Sequence, residues 1–255
     1  MISLPYRLDR TVTIRAPREN VFRFFTDTAH WAAWWGTGSS IDARPGGAVR
    51  IRYPEGTEVA GEVIEIREPE KLMFTYGYVA GKPIPPGSSR VTILLDDHPT
   101  GTILHLTHEF ADAGVRDQHV QGWRFQLSLF ANAVANEVHA STAGAIDQWF
   151  NLWSVADEQE REKALAGLAA PGVSFRDPYS VLEGIADLTA HMTASQRFMP
   201  GMRLERKGNV RHCQGTVLAD WIAVTSDGQQ RASGTNVFQF GSEGRLEAVT
   251  GFWNR

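Results

Sequence analysis

The chain has 255 residues, a formal net charge of −4 and a hydrophobic fraction of 42%. This length exceeds the usual size of one domain, so two domains of roughly 110–140 residues are expected. The 25 basic residues are balanced by 29 acidic ones, and they form no long basic run. This balance argues against nucleic acid and an anionic membrane as partners, because both need clustered positive charge.

The N-terminus, the apolar runs and the cysteine content exclude further classes. Residues 1–10, MISLPYRLDR, lack the apolar core of a signal peptide, and no apolar stretch is long enough to span a bilayer. We therefore expect a cytoplasmic protein. The single cysteine, Cys213, excludes an intrachain disulfide and a multi-cysteine metal site.

The first half begins with a strand and two helices. Thr11–Arg15 alternates as a strand does, Pro17 stands where a helix begins, and a second short helix is expected over His30–Trp35. The turn RPGG follows at 44–47. Five strands, which would form an antiparallel meander, are then expected near 48–53, 58–66, 71–78, 89–96 and 101–110.

One long amphipathic helix is expected over Arg116–His139. Its apolar residues recur at helical spacing: Trp123, Leu127, Phe130, Val134 and Val138. This stripe must lie on the meander, and a curved sheet that grips one long helix commonly leaves a hollow between them.

Five segments of the first half, taken together, resemble a known superfamily. They are APRENVFRFFTDTAHWAAWWG (16–36), RPGG (44–47), VAGEVIEIREPEKLMFTY (59–76), GTILHLTHEF (101–110) and QGWRFQLSLFANAV (121–134). In this order they resemble the SRPBCC/START-like superfamily, in the branch named after the activator of heat-shock-protein-90 ATPase. The resemblance implies a helix-grip domain over residues 1–141 with an apolar cavity. Its expected wall residues are Trp34, Tyr76, His108, Trp123, Leu127 and Phe130.

His108 carries two open interpretations. Alternation along Thr102–Phe110 turns His108 to the apolar face, where it either is hydrogen-bonded within the core or contacts a ligand. His105 falls on the opposite face, so the two histidines cannot easily bind one ion. We expect no metal site here.

The second half reverses the order of helices and strands. After the small-residue linker HASTAG (139–144), helices are expected over Ala145–Ser154, Glu158–Leu168 and Gly184–Phe198, with a strand at Val173–Arg176. Four strands complete the chain near 202–212, 215–226, 230–241 and 245–253. The expected fold class of the whole chain is α+β, with a cone-shaped sheet in this half.

Three segments of this half resemble a second superfamily. VSFRDPYSVLEG (173–184), DGQQRASGTNVFQF (227–240) and EGRLEAVTGFW (243–253) resemble the nuclear transport factor 2-like superfamily, in its SnoaL-like branch. The resemblance covers residues 142–255 and implies an α+β cone-shaped barrel with a pocket. It does not decide activity, because this scaffold serves many functions.

The ketosteroid isomerases of that superfamily suggest roles for single residues. Asp177-Pro178 matches the pair that holds their general base, while Trp149 and Asn236 fall where they have a tyrosine and an aspartic acid that bind the enolate oxygen. Asn236 keeps a hydrogen-bond donor, but the missing tyrosine argues against their familiar mechanism. Further expected pocket residues are Tyr179, His191, His212 and Trp221.

Asp177 also has two open interpretations. In an apolar cone its carboxylate can take a proton from carbon beside a carbonyl. An Asp-Pro pair equally ends a strand for structural reasons, by capping the next turn. Loss of activity without loss of stability would distinguish the first role from the second.

Three functions remain open from the sequence. The first is binding of hydrophobic small molecules in one apolar cavity per domain, with or without weak cofactor-independent chemistry. The second is an isomerase or cyclase of polyketide-like or steroid-like substrates with Asp177 as base. The third is a protein-interaction or cochaperone-like module that forms a homodimer through the C-terminal sheet. No nucleotide-binding or hydrolase motif is present, so no cofactor is expected.

Overall fold

The structure, a computed structural model, describes residues 3–254. It is α+β, as predicted, and divides into two compact units, the first ending at Ala135 and the second beginning at Asn136. The sequence placed the boundary six residues later, and independent folding of the two halves stays a prediction. No helix within residues 3–254 is both long and apolar enough to cross a bilayer.

The first unit contains a seven-stranded sheet in the order β1-β7-β6-β5-β4-β3-β2, with antiparallel neighbours. Its described elements are β1 (Tyr6–Ile14), α1 (Arg18–Thr26), α2 (Thr28–Trp35), β2 (Ser40–Ile41), β3 (Ala48–Arg52), β4 (Glu58–Arg67), β5 (Lys71–Tyr76), β6 (Ser89–His98), β7 (Gly101–Phe110) and α3 (Ala113–Val138). The predicted meander and long helix are therefore present.

Helix α2 begins two residues earlier than predicted. The side chain of Asp27 accepts a hydrogen bond from the backbone N–H of His30 at 2.9 Å, which satisfies one of the free donors of the first turn. The helix therefore starts directly after Asp27, and its three tryptophans point into the core.

Helix α3 buries the predicted apolar stripe. Trp123, Leu127, Phe130 and Val134 are all at most 5% exposed, whereas Val138 is only half-buried near the helix end. The Phe130 ring stacks on Phe25 with centroids 4.6 Å apart. The helical period of 3.6 residues thus sets which side of α3 meets the core.

The second unit contains a six-stranded sheet in the order β10-β11-β12-β13-β8-β9, antiparallel except for the pair β13–β8. Its elements are α4 (Thr142–Leu152), α5 (Glu158–Leu168), β8 (Ala169–Asp177), β9 (Ser180–Glu183), α6 (Gly184–Phe198), β10 (Arg203–Cys213), β11 (Thr216–Val224), β12 (Gln230–Phe240) and β13 (Leu246–Trp253). Helices α5 and α6 have their predicted bounds. The homodimer predicted through this sheet stays a prediction.

Two predicted boundaries in this unit are wrong. Helix α4 begins at Thr142, inside the predicted linker, because Thr142 is buried on the same helical face as Ile146 and Trp149. Strand β8 begins at Ala169 because its pairing with β13 continues past an irregularity that spans Pro171 and Gly172. A proline-glycine pair argues against a strand in a sequence, but a bulge accommodates it.

Candidate functional site

A cavity of about 440 Å³ lies in the second unit. This volume is within the range of roughly 300–1,000 Å³ that is usual for small-molecule sites. The residues that line it are Trp153, Phe175, Asp177, Tyr179, Ser180, His191, Ser195, Gln196, Phe198, Met199, Met202, Leu204, Trp221, Asn236, Gly251 and Trp253. Aromatic rings and a few polar groups therefore share one wall.

Sheet alternation and helical spacing bring these residues together. Trp221 and Asn236 stand on the neighbouring strands β11 and β12, and Trp253 on β13 points to the same side as Gly251 two residues before it. His191 and Ser195 lie one turn apart on α6, so both face the cavity.

Asp177, at the end of β8, uses both carboxylate oxygens. Its Oδ1 accepts from the backbone N–H of Tyr179 at 2.9 Å, and its Oδ2 accepts from the indole N–H of Trp253 at 3.3 Å. The first bond is the turn cap expected from an Asp-Pro pair. The side chain is half-buried and lines the cavity as well. Asp177 thus caps a turn and also lines the cavity, so its position fits both of its interpretations.

Asn236 has its amide orientation fixed by Trp221. The indole N–H of Trp221 donates to Asn236 Oδ1 at 2.9 Å. Because an indole N–H is only a donor, the oxygen must face it. The amide N–H groups of the buried Asn236 are then what this side chain offers to the cavity.

Gly251 lies between Asp177 and Asn236. It pairs with Asn236 across β12 and β13, and the residue before it pairs with Arg176 of β8. A Cβ atom on Gly251 would lie 3.2 Å from Asn236 Oδ1 and 3.3 Å from Asp177 Cβ. Because Gly251 has no side chain, the side chains of Asp177 and Asn236 can both approach its backbone. We call Asp177, Asn236 and Gly251 the polar corner.

Of the other residues predicted for this pocket, some line the cavity and others do not. Tyr179, His191 and Trp221 line the cavity, and His191 Nε2 lies 3.3 Å from Ser180 Oγ. His212 on β10 does not line it, and its Nδ1 lies 2.9 Å from Asn136 Oδ1. Trp149 is fully buried and does not line the cavity. Its ring packs behind the wall, with its centroid 5.9 Å from that of Phe175.

Sequence reasoning missed two tryptophans of the wall. Trp153 follows the last turn of α4, and its indole Nε1 is buried without a hydrogen-bond partner among the described residues. Trp253 alternates with Gly251 and Val249 on β13, which was a usable signal for its side of the sheet.

A buried arginine anchors the helix that closes one side of the cavity. Arg161 of α5 is 0% exposed and donates to the carbonyl oxygens of Val155 at 2.7 Å and Thr189 at 3.3 Å. It also donates to Gln196 Oε1 at 3.3 Å. Since Thr189 and Gln196 belong to α6, the guanidinium ties this helix to the chain between α4 and α5.

The six wall residues predicted for the first unit are all buried against one another or against neighbouring rings. The Trp34 ring lies 4.9 Å from Phe130, and the Tyr76 ring lies 5.0 Å from His108. A groove of about 310 Å³ in this unit is lined by other residues, among them Arg50 and Arg52. The apolar cavity of the first unit stays a prediction.

His108 is held in one neutral form by its partners. Its Nδ1 accepts from the Trp123 indole N–H at 2.9 Å, and its Nε2 lies 2.8 Å from Ser89 Oγ. Ser89 Oγ donates its proton to the Tyr76 carbonyl at 2.8 Å, so it must accept from His108 Nε2. Of the two interpretations, the hydrogen bonds match those of a satisfied core histidine.

This network predicts acid sensitivity of the first unit. Burial lowers the pKa of His108 well below its ordinary value of 6.5, and the charge of His119 lowers it further. Unfolding exposes the ring and restores that value, so the unfolded chain binds the extra proton first. Stability is therefore complete above pH 6.5 and falls as the pH drops below it, by about 1.4 kcal/mol per pH unit while the folded ring stays neutral.

Nitrogen NMR of the His108 ring and denaturant melts at several pH values measure both parts of this prediction. We expect the His108 ring to keep its proton on Nε2 while the free energy of unfolding decreases as the pH falls below 6.5. Protonation of His108 near pH 6.5 in the folded chain would contradict it.

Residues 15–135 match the family of Activator of Hsp90 ATPase homolog 1-like proteins. The first half therefore matches the family that its motifs indicated. No curated protein matches the chain.

Solved structures are similar to about half of the chain. A protein of the SnoaL-like family from Agrobacterium tumefaciens C58 is 24% identical and covers 47% of this chain and 99% of its own, with a TM-score of 0.43. Protein CV1439 of Chromobacterium violaceum is 26% identical and covers 51% and 98%, with a TM-score of 0.43. The Aha1 dimer of Colwellia psychrerythraea is 14% identical and covers 51% and 96%, with a TM-score of 0.45.

Proposed function

We propose that the second unit binds a hydrophobic small molecule in the cavity that contains the polar corner. The observation that carries this proposal is a 440 Å³ cavity whose wall combines six aromatic side chains with one carboxylate and one free amide donor. Apolar walls with few convergent polar groups are typical of small-molecule sites, since the walls supply affinity and the polar groups orient the ligand.

The exposed rim supports the same proposal. Tyr179 and Phe198 line the cavity and are 76% and 86% exposed. Large apolar side chains that stay in water at a cavity mouth have apolar area to bury when a ligand enters. Each such ring contributes favourable free energy only in the occupied state.

Filling the cavity tests the proposal. Ser195 lines it from α6, so Ser195→Trp places an indole in the space, whereas Ala190→Trp places the same ring on the exposed side of the same helix. With the neutral fluorescent naphthalene dye Prodan as probe, we expect Ser195→Trp to weaken binding about tenfold or more, which is a loss of about 1.4 kcal/mol.

Ala190→Trp is expected to leave the dye affinity of the full chain unchanged. Circular dichroism of both variants establishes that they fold. Equal Prodan affinity in folded Ser195→Trp and wild type would contradict binding in this cavity.

The polar corner favours a second candidate, proton transfer next to a carbonyl. The side chains of Asp177 and Asn236 both lie next to Gly251 and line the cavity. A ketone in this corner would lose a carbon-bound proton to the carboxylate, while the amide donates a hydrogen bond to the enolate oxygen. Return of the proton to another carbon would complete an isomerisation.

Hydrogen–deuterium exchange of 2-tetralone tests this second candidate. We expect the wild-type chain to accelerate exchange at the carbon between the ring and the carbonyl, and Asp177→Asn to slow it by about 10²–10⁴. Glu243→Gln removes an exposed carboxylate outside the cavity and is expected to change nothing. Equal exchange rates in wild type and Asp177→Asn would contradict proton transfer by Asp177 and leave ligand binding as the function of this unit.

A further inference from the structure

The cavity is lined by one carboxylate, that of Asp177, and by one histidine, His191. Among the described residues that line it, Asp177 is the one aspartate, glutamate, lysine or arginine. Both of its hydrogen-bond donors are neutral, a backbone N–H and an indole N–H. A carboxylate accepts about four hydrogen bonds, so Asp177 keeps free capacity toward the cavity.

Three aromatic rings meet beside this carboxylate. The Trp253 ring is nearly perpendicular to the Trp221 ring, at 84° and 5.1 Å between centroids, and to the Tyr179 ring, at 88° and 5.4 Å. The indole N–H of Trp253 donates to Asp177, which fixes that ring at the carboxylate. All three rings also line the cavity, and we call them the aromatic corner.

Both features favour a cation. The face of an aromatic ring carries partial negative charge, so rings that enclose a space attract an ammonium group, and Trp does so most strongly. An anionic ligand would instead meet the uncompensated charge of Asp177 without a lysine or arginine in the wall. A neutral ligand would use the apolar surface and leave the carboxylate without a counter-charge.

We propose that the ligand of this cavity is an organic cation, an ammonium group carried on an apolar body. The ammonium group lies at Asp177 and the aromatic corner, and the apolar body lies against Phe175, Met202 and Leu204. This inference rests on the proposed binding function and names its ligand class.

Two probes of equal shape separate charge from hydrophobicity. Phenyltrimethylammonium and tert-butylbenzene differ in one atom, nitrogen against carbon, and in the positive charge. Calorimetric titration of the full chain is expected to give the cation about tenfold tighter binding. Added salt is expected to weaken binding of the cation and not of the hydrocarbon, since it screens only charge.

Asp177→Asn is expected to reduce the preference, because only the aromatic corner then favours the charge: the affinity for the cation falls, while the affinity for the hydrocarbon stays unchanged. Glu243→Gln, the matched loss of an exposed charge, is expected to keep the preference. If Asp177→Asn fails to fold, the two probes on the wild-type chain still decide.

The outcomes separate the two proposals. Equal affinity for both probes would overturn the cation assignment and leave the proposed binding function standing. An equal loss for both probes in Asp177→Asn would likewise overturn it, because the carboxylate would then only shape the wall. Binding of neither probe would overturn the cation assignment, and Prodan titration of the same chain then decides whether the binding function stands.

Discussion

Replacing Phe130 by alanine is expected to destabilise the first unit by about 3–5 kcal/mol. The side chain is 0% exposed and its ring contacts those of Phe24, Phe25 and Trp34. Alanine would leave a cavity where helix α3 meets α1 and α2, and closely packed neighbours relax into such a space only in part.

Phe125→Ala is the matched control for this prediction. Phe125 belongs to the same helix but is 66% exposed, so its loss is expected to change stability by no more than about 0.5 kcal/mol. Hydrogen exchange resolved along the chain reports the effect for residues 3–135. Equal hydrogen-exchange protection in Phe130→Ala and Phe125→Ala would mean that the packing of α3 through Phe130 does not stabilise this core.

Replacing Arg161 by methionine is expected to destabilise the second unit by about 3 kcal/mol or more. Methionine keeps an apolar stem, yet it removes the guanidinium donor from the carbonyl oxygens of Val155 and Thr189, which keep only the bonds from Gln196 and Thr193. Since the same guanidinium binds Gln196 of the cavity wall, affinity for Prodan is expected to fall as well.

Lys163→Met also replaces a basic side chain by methionine, at an exposed position of the same helix. It is expected to change stability by no more than about 0.5 kcal/mol and to leave dye binding unchanged. Denaturant melts and dye titrations of both variants measure these effects. A mild effect of Arg161→Met would show that water replaces the guanidinium at these carbonyl groups.

Local sequence patterns predicted most of the elements. Strand β7 (Gly101–Phe110) and helices α5 and α6 have the predicted bounds, because alternation and capping act within a few residues. Strand β9 (Ser180–Glu183) was missed. It is short and only half-buried, and its strand character comes from pairing with β8, which no local pattern encodes.

The candidate site was predictable in part. Asp177 and Asn236 were found because a resemblance aligned them with residues of known role, and the structure brings both to the cavity. Trp253 and Gly251 were missed because their importance depends on which strands are neighbours. Trp149 occupies a plausible position in the sequence, but the register of α4 turns it behind the wall.

The central claim is that a hydrophobic ligand binds in the cavity of the second unit. Indole N–H signals of the eight tryptophans test it most directly, because Trp31, Trp34, Trp35 and Trp123 belong to the first unit and Trp149, Trp153, Trp221 and Trp253 to the second. On addition of Prodan to the full chain, we expect the signals of Trp153, Trp221 and Trp253 to shift while the four signals of the first unit stay in place. Shifts confined to those four signals would contradict the account and move the binding site to the first unit.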